Sequence, residues 1–238
     1  DQVISQLFRS WFINFEPVKN KSENKLMPGL DDATMQLFSD SFQSTEIGSI
    51  PSGWKVIRLG DIVNLTKGLS YKGEFLEETA DEGIRMLNLG CFGIDGSFRR
   101  DKIKYYSGDH KEKHLLRGGD ILIANTDMTQ DRIIIGSCIV VPSKYESALY
   151  THHTSRLRVK DDLDLRLNSF IAKQLAQPTF RHIAEGYSTG STVLALPKNA
   201  ILDFKIAMPP NDLLQRFFEI ENDFYSKSQS MIASLESL

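Results

Sequence analysis

Histidine and carboxylate are the side chains best suited to hold a metal or move a proton. This sequence sets His152 and His153 side by side and also offers Asp120, Asp127 and Asp131. Two histidines at i, i+4 on a helix share one face and can chelate one ion, whereas adjacent residues in a strand point to opposite faces. The pair is therefore expected to be a poor joint ligand, with no metal bound. Brought together in space, Asp120, Asp127 and His152 or His153 would instead make a metal-dependent DNA hydrolase, which is the alternative to carry forward.

Other catalytic signatures are missing. No GxxxxGK[ST] loop is present to cradle a triphosphate. Gly90, Gly93 and Gly96 in LNLGCFGIDG have the wrong spacing for a dinucleotide fold and no amphipathic helix after them. Pro209-Pro210 follows Met208, which cannot accept a hydrogen bond from a target amine, so amino-group methylation is not expected. No catalytic residue and no cofactor is expected. Cys91 and Cys138 lack a CxxC pattern, fit a reducing cytosol, and are expected to be small core residues.

Charge is the next guide. The 238 residues carry a formal net charge of -3, but unevenly: residues 1–50 hold 4 basic and 7 acidic side chains, 51–210 hold 22 and 19, and 211–238 hold 2 and 5. The middle is the basic part. Within it Arg99, Arg100, Lys102, Lys104, Lys111, Lys113 and Arg117 are interleaved with Tyr105, Tyr106, His110 and His114. Such a pattern suits a phosphate backbone, and equally a solvated strand and loop.

These residues need elements to position them. A composition of 41% hydrophobic and 25% charged residues is that of globular material, with no apolar run near the roughly 18 to 20 residues of a membrane-spanning helix. The first residues do not resemble a secretory signal, and the missing initiator Met suggests a fragment. Val3, Ile4, Leu7, Phe8 and Trp11 predict an opening helix that stops before Pro17. Residues 17–51 read as an extended connection with a short helix at 34–42. From Trp54 onward, KVIRLGDIV, GIRMLNLG, GDILIAN, RIIIGSCIVVP and TSRLRV predict short strands. LDLRLNSFIAKQLAQ predicts one helix, ended by Pro178. Pro209-Pro210 and Asn211 open a last helix running to Leu238. Its seam of Leu213, Phe217, Ile220, Phe224, Lys227, Met231, Ser234 and Leu238 is coiled-coil-like and needs a partner: the opening helix, another chain, or both. The expected class is α+β, a strand-rich core with long helices, divided as 1–50, 51–210 and 211–238.

Three stretches together resemble the DNA-specificity subunit of type I restriction-modification systems. LFRSWFINFEPVKNK, followed by LFSDSF and IGSIPSGWKVIRLGDI, is similar to that family's conserved central region running into a target-recognition domain. RGGDILIANTDMTQDR with IIIGSCIVVP resembles the core strand and loop of that domain. GSTVLALPKNAILDFKIAMPPNDLLQ resembles its close and the entry into the next conserved helix. The resemblance implies a non-catalytic, cytoplasmic reader of double-stranded DNA. Methylation and cleavage would belong to separate modification and restriction subunits. Family members normally carry two recognition domains, each reading half of a split site, whereas this chain carries one. A second recognition half or a homodimer is therefore expected through the helices.

On that resemblance, Lys67, Lys72, Arg99, Arg100, Lys102 and Lys104 are expected on phosphates. Base readout is expected from Thr126, Asp127, Met128, Thr129, Gln130 and Arg132, and from Ser188, Thr189, Ser191 and Thr192 around Gly190, with Tyr71, His152 and His153 as further candidates. Asp127 would accept from a cytosine amino group. Asp127 and Asp131 capping turns, and Tyr71 partly buried, are the structural alternatives. Leu213, Phe217, Ile220, Phe224 and Met231 are expected at a helix interface. Charged residues at Phe217 and Phe224 are expected to break assembly while the recognition domain stays folded. A helix-mediated scaffold without a DNA role is a third reading.

Overall fold

The computed structural model describes residues 2–93, 97–127, 134–187 and 194–236. Its helices are α1 (Gln2–Phe12), α2 (Glu16–Ser22), α3 (Asp32–Gln36), α4 (Leu59–Ile62), α5 (Leu167–Leu175), α6 (Pro178–Tyr187), α7 (Lys198–Leu202) and α8 (Asn211–Glu236). The strands begin with β1 (Phe42–Thr45), β2 (Gly48–Pro51), β3 (Lys55–Arg58), β4 (Val63–Lys67), β5 (Leu76–Glu77), β6 (Ile84–Leu87) and β7 (Lys104–Tyr106). They continue with β8 (Ile121–Ala124), β9 (Thr126–Asp127), β10 (Cys138–Val140), β11 (Leu149–Tyr150), β12 (Thr154–Val159), β13 (Leu194–Ala195) and β14 (Lys205–Met208). Contacts divide the chain into two compact units: Asp1–Ile57 with Lys205–Leu238, and Arg58–Phe204. The class is mixed helix and strand, as expected. No described helix is long and apolar enough to cross a membrane.

In the first unit, α1 buries Ile4, Phe8, Trp11 and Phe12 and leaves Val3 59% exposed. Phe217 of α8 sits among the α1 rings, with centroids 5.7 Å from Phe8, 6.0 Å from Trp11 and 5.1 Å from Phe12, distances at which aromatic rings attract beyond simple burial. The opening helix is thus the partner of the first part of the α8 seam. Residues 17–51 are not an extended connection. Pro17 lies in the first turn of α2, where its missing N–H costs nothing, and β1 pairs antiparallel with β2 as a hairpin. The helix expected at 34–42 is only the short α3, whose start Asp31 caps by accepting from the Thr34 amide at 2.7 Å. Arg216 of α8 reaches the same cap, donating to Asp31 at 3.0 Å and to the Thr34 hydroxyl at 2.9 Å.

The second unit holds a four-stranded antiparallel sheet in the order β10-β8-β12-β4, and a second sheet in the order β11-β6-β7-β5 in which only β11 and β6 run parallel. Leu122, Ala124 and Ile139 of the first sheet pack with Leu87 and Tyr150 of the second and with Cys91, Phe92 and Leu116. Cys91 is in this core. Cys138 is only half buried on β10, where its thiol donates to the Ala172 carbonyl at 3.4 Å and burial pushes its pKa up to about 12. The KVIRLGDIV run is split by the turn of α4 into β3 and β4. The helix expected ahead of Pro178, α5, ends at Leu175 as expected, and Pro178 then opens a further helix, α6, the same tolerance of proline in a first turn.

Candidate nucleic-acid interface

The site is built where β4 and β8 end and β12 begins. Ser155 pairs with Lys67 across β12 and β4, and Thr154 with Ala124 across β12 and β8, so the residues after β4 and β8 and before β12 emerge together. Gly68 makes this possible: a Cβ there would stand 2.2 Å from the Thr151 carbonyl oxygen, so only a glycine lets the two backbones come this close. The Leu69 amide then donates to the Tyr150 carbonyl at 2.8 Å and the His152 amide to the Leu69 carbonyl at 2.9 Å.

Residues 152 and 153 form a turn rather than a pleated strand, and this overturns the expectation that their rings diverge. The imidazoles lie 4.0 Å apart at 38°. His153 Nδ1 is 3.0 Å from the Thr126 hydroxyl, and the Tyr71 ring is 6.1 Å from that of His152. Thr126, Tyr71, His152 and His153 are therefore brought together, beside Lys67, whose charge helps depress the His153 pKa; burial is the larger cause and His152 the second. A neutral imidazole follows at neutral pH, able to give one hydrogen bond and take another. The loop base is held by Asn125, which donates from its side chain to the Ser155 hydroxyl at 2.8 Å and from its amide to the His153 carbonyl at 2.9 Å. Its carbonyl accepts from the Leu196 amide at 2.7 Å. The loop that follows thus springs from a fixed root.

Asp127 is 1% exposed and accepts from the Ile134 amide at 2.8 Å, closing the loop rather than facing a base edge. Its base-reading role is withdrawn, and the turn-closing alternative takes its place. Asp120, also 1% exposed, is held by Arg158 through two bonds of 2.6 Å and by the Arg117 amide at 2.8 Å. Its lone pairs are committed to these donors, so the hydrolase reading loses its first ligand. Among the described residues no group of three histidine, cysteine, aspartate or glutamate side chains could hold a metal. Met128, Thr129, Gln130, Asp131 and Arg132, and Ser188, Thr189, Gly190, Ser191 and Thr192, lie outside the described residues.

Of the expected phosphate contacts, Lys67, Arg100 and Lys104 are exposed. Arg99 and Lys102 share Asp101, at 3.5 and 3.0 Å, and Lys72 pairs with Glu74 at 3.7 Å. The Arg99–Lys104 segment is anchored on residues 86–91: Asn88 donates to the Lys102 carbonyl at 2.7 Å, the Arg99 amide donates to the Cys91 carbonyl at 2.9 Å, and Lys104 pairs with Met86. Along α8, Leu213 and Phe217 are fully buried within the first unit, Ile220 and Phe224 are half buried, and Met231 is 67% exposed. Ile220 and Phe224 line an open groove with Val3, Ile4 and Leu7 of α1. The sequence reading missed Arg156, Arg158 and Lys198, which line a second, polar groove with Arg117. The available signal was TSRLRV, whose alternation puts both arginines on one sheet face.

Comparison with known proteins bears on the family and the fold. The model of the type I restriction modification DNA specificity domain matches residues 51–231. The MjaIX specificity subunit of a type I restriction enzyme of Methanocaldococcus jannaschii is 24% identical over 238 residues, covering 95% of this chain and 46% of that protein. The MjaVIII specificity subunit of the same organism is 29% identical over 124 residues, covering 50% of this chain and 28% of its own length. Among solved structures, the HsdS subunit of Thermoanaerobacter tengcongensis superposes with a TM-score of 0.52 at 15% identity. A chain solved in work on assembly and conformational transition of the type I R-M system superposes with a TM-score of 0.50 at 17% identity. Each covers 98% of this chain, which spans 50% of theirs, and the likeness is one of fold. The chain thus extends over half or less of these proteins' lengths, and it belongs to the type I restriction-modification DNA specificity family.

Proposed function

We propose that this chain is a non-catalytic recognition half that binds one half of a bipartite duplex target. The observation that carries this reading is the convergence of Thr126, Tyr71, His152 and His153 beside Lys67, on the fixed root of a loop, in a chain of this family. Hydroxyl, phenol and neutral imidazole are short, directional hydrogen-bonding groups suited to base edges, and the lysine supplies a sequence-independent grip. In this reading Met128, Thr129, Gln130, Arg132, Ser188, Thr189, Ser191 and Thr192 also contact bases, and Arg100 and Lys104 contact phosphates.

In the same proposal, the chain works in the cytoplasm and docks the methyltransferase and restriction subunits, which perform the reactions. The groove between α1 and α8 receives a helix of a second recognition half. Its apolar lining of Val3, Ile4, Leu7, Ile220 and Phe224 suits the a/d face of such a helix. The test is incubation of the purified chain with a mixed duplex pool at low salt, with and without magnesium. Retention of DNA with every strand intact supports the proposal. Strand cleavage that depends on magnesium, or no retention at any salt, would contradict it.

A further inference from the structure

The second groove, of about 500 Å³, is formed on one face of β4 and β12. Arg156 lies opposite Thr66 and Arg158 opposite Asn64 in the strand register, so all four side chains belong to the same face of the sheet. Arg117 and Lys198 complete the rim. The described lining thus holds four cationic side chains against one carboxylate, Asp161, and the carboxylate of Asp120 is already saturated by Arg158.

Arg156 is the unusual member. It is 7% exposed, yet its guanidinium has no carboxylate partner among the described residues. Nη1 donates to the carbonyls of Lys113 and Leu115, at 3.3 and 3.1 Å, and Nη2 donates to the Thr66 hydroxyl at 3.2 Å. Its Nε is buried with no acceptor among the described residues. Burial is the largest influence and opposes the charge on this side chain, as do Arg158 and Arg117, whereas Tyr150 and Asp120 favour it. A buried cation whose direct hydrogen-bond acceptors are all neutral oxygens is costly, and an anion in the groove lowers that cost. Arg117 and Lys198 are exposed, and no ion pair to either is among the described contacts, so both can close on such an anion.

We propose that this groove is a phosphate site: a tetrahedral oxyanion sits on the β4–β12 face, drawn by Arg156 and held by Arg117 and Lys198. Planar guanidinium groups meet phosphate oxygens two at a time, and an ammonium adds a point charge. The phosphate can be a diester of the duplex backbone, in which case the site deepens the DNA-binding reading, or a free phosphate, in which case it stands apart from it.

The test compares the intact chain with R117A/K198A, whose changes are at exposed positions, and with N64D, which sets a carboxylate in the same groove without removing a cation. Inorganic phosphate is titrated against chloride of equal ionic strength while Tm is recorded. The wild-type chain should gain a few degrees more than either variant, whose smaller rise measures only the general stabilising effect of phosphate. Equal rises in all three proteins would overturn the site. Duplex binding across a salt series then identifies the source. If the ligand is a backbone phosphate, R117A/K198A weakens all sequences alike, lowers the salt slope by about 1 to 2, and inorganic phosphate competes with duplex. If duplex affinity is unchanged while the phosphate effect is lost in the variants, the site holds a free phosphate. A chain that binds no duplex at all contradicts the DNA-binding reading and leaves the phosphate titration to decide the site.

Discussion

Thr126 and His153 meet at 3.0 Å on the loop root, and this contact defines what either side chain can offer to a base. T126A or H153A should cost about 1 to 3 kcal/mol of discrimination at one position of the target, measured as the affinity ratio between the selected site and its single substitutions, with little change in non-specific binding. A uniform loss across sequences would make them grips rather than readers. A second consequence concerns pH. His153 and His114 both have depressed pKa values, chiefly through burial, with Lys67 and His152 adding to the first and Lys113, Lys111, His110 and Arg156 to the second. The unfolded chain takes up these protons near the ordinary value of about 6.5, whereas the folded chain resists them. Their contribution to stability is therefore intact above that value and is lost as pH falls below it. Urea midpoints should drop between about pH 6.5 and 5, and H114Q/H153Q should flatten that drop. The sequence named Tyr71, His152 and His153 separately. Their meeting depends on the close approach at Gly68 and on a turn, neither of which adjacency in a strand foretells. Residue type likewise could not tell that Asp120 and Asp127 are buried and committed.

Strands and helices carry the next level of argument. Asp120 at the start of β8 and Arg158 in β12 form the buried ion pair of the first sheet, and Asp120 also orders the Arg117 turn. D120A strands a half-hidden guanidinium and should cost about 3 to 5 kcal/mol in urea unfolding, whereas D120A/R158M, which removes both charges, should cost much less. Equal losses would show that the turn, not the pair, matters. Much of this level was legible. The strands β6, β8 and β12, the opening helix and α8 follow from short apolar runs, helical spacing and proline boundaries. The opening helix does end before Pro17 and α5 before Pro178, but each proline also sits in the first turn of a further helix, α2 or α6, which a stop signal does not announce. The β1–β2 hairpin lay in a polar stretch with little alternation, and α4 interrupted a run that reads as one strand.

For assembly, the two aromatic positions of the α8 seam separate. Phe217 is the centre of the first unit's own aromatic core, so F217E should abolish that unit's unfolding transition. Charge at Phe217 therefore acts first on the unit that holds α1 and α8, and the Arg58–Phe204 unit should stay folded, as expected of the recognition domain. Phe224 lines the open groove, and F224E should leave the transition in place while sedimentation shows loss of self-association or of binding to the second half. Unchanged association would sink the groove as an interface. The central claim, that this chain supplies sequence preference and the subunits around it supply reactions, is met most directly by selecting bound sequences from a random duplex pool with the methyltransferase present, at stated salt. The account predicts one short, asymmetric motif, enriched by wild type and relaxed at a single position by H153A. Recovery of the same unselected pool by both proteins would contradict it.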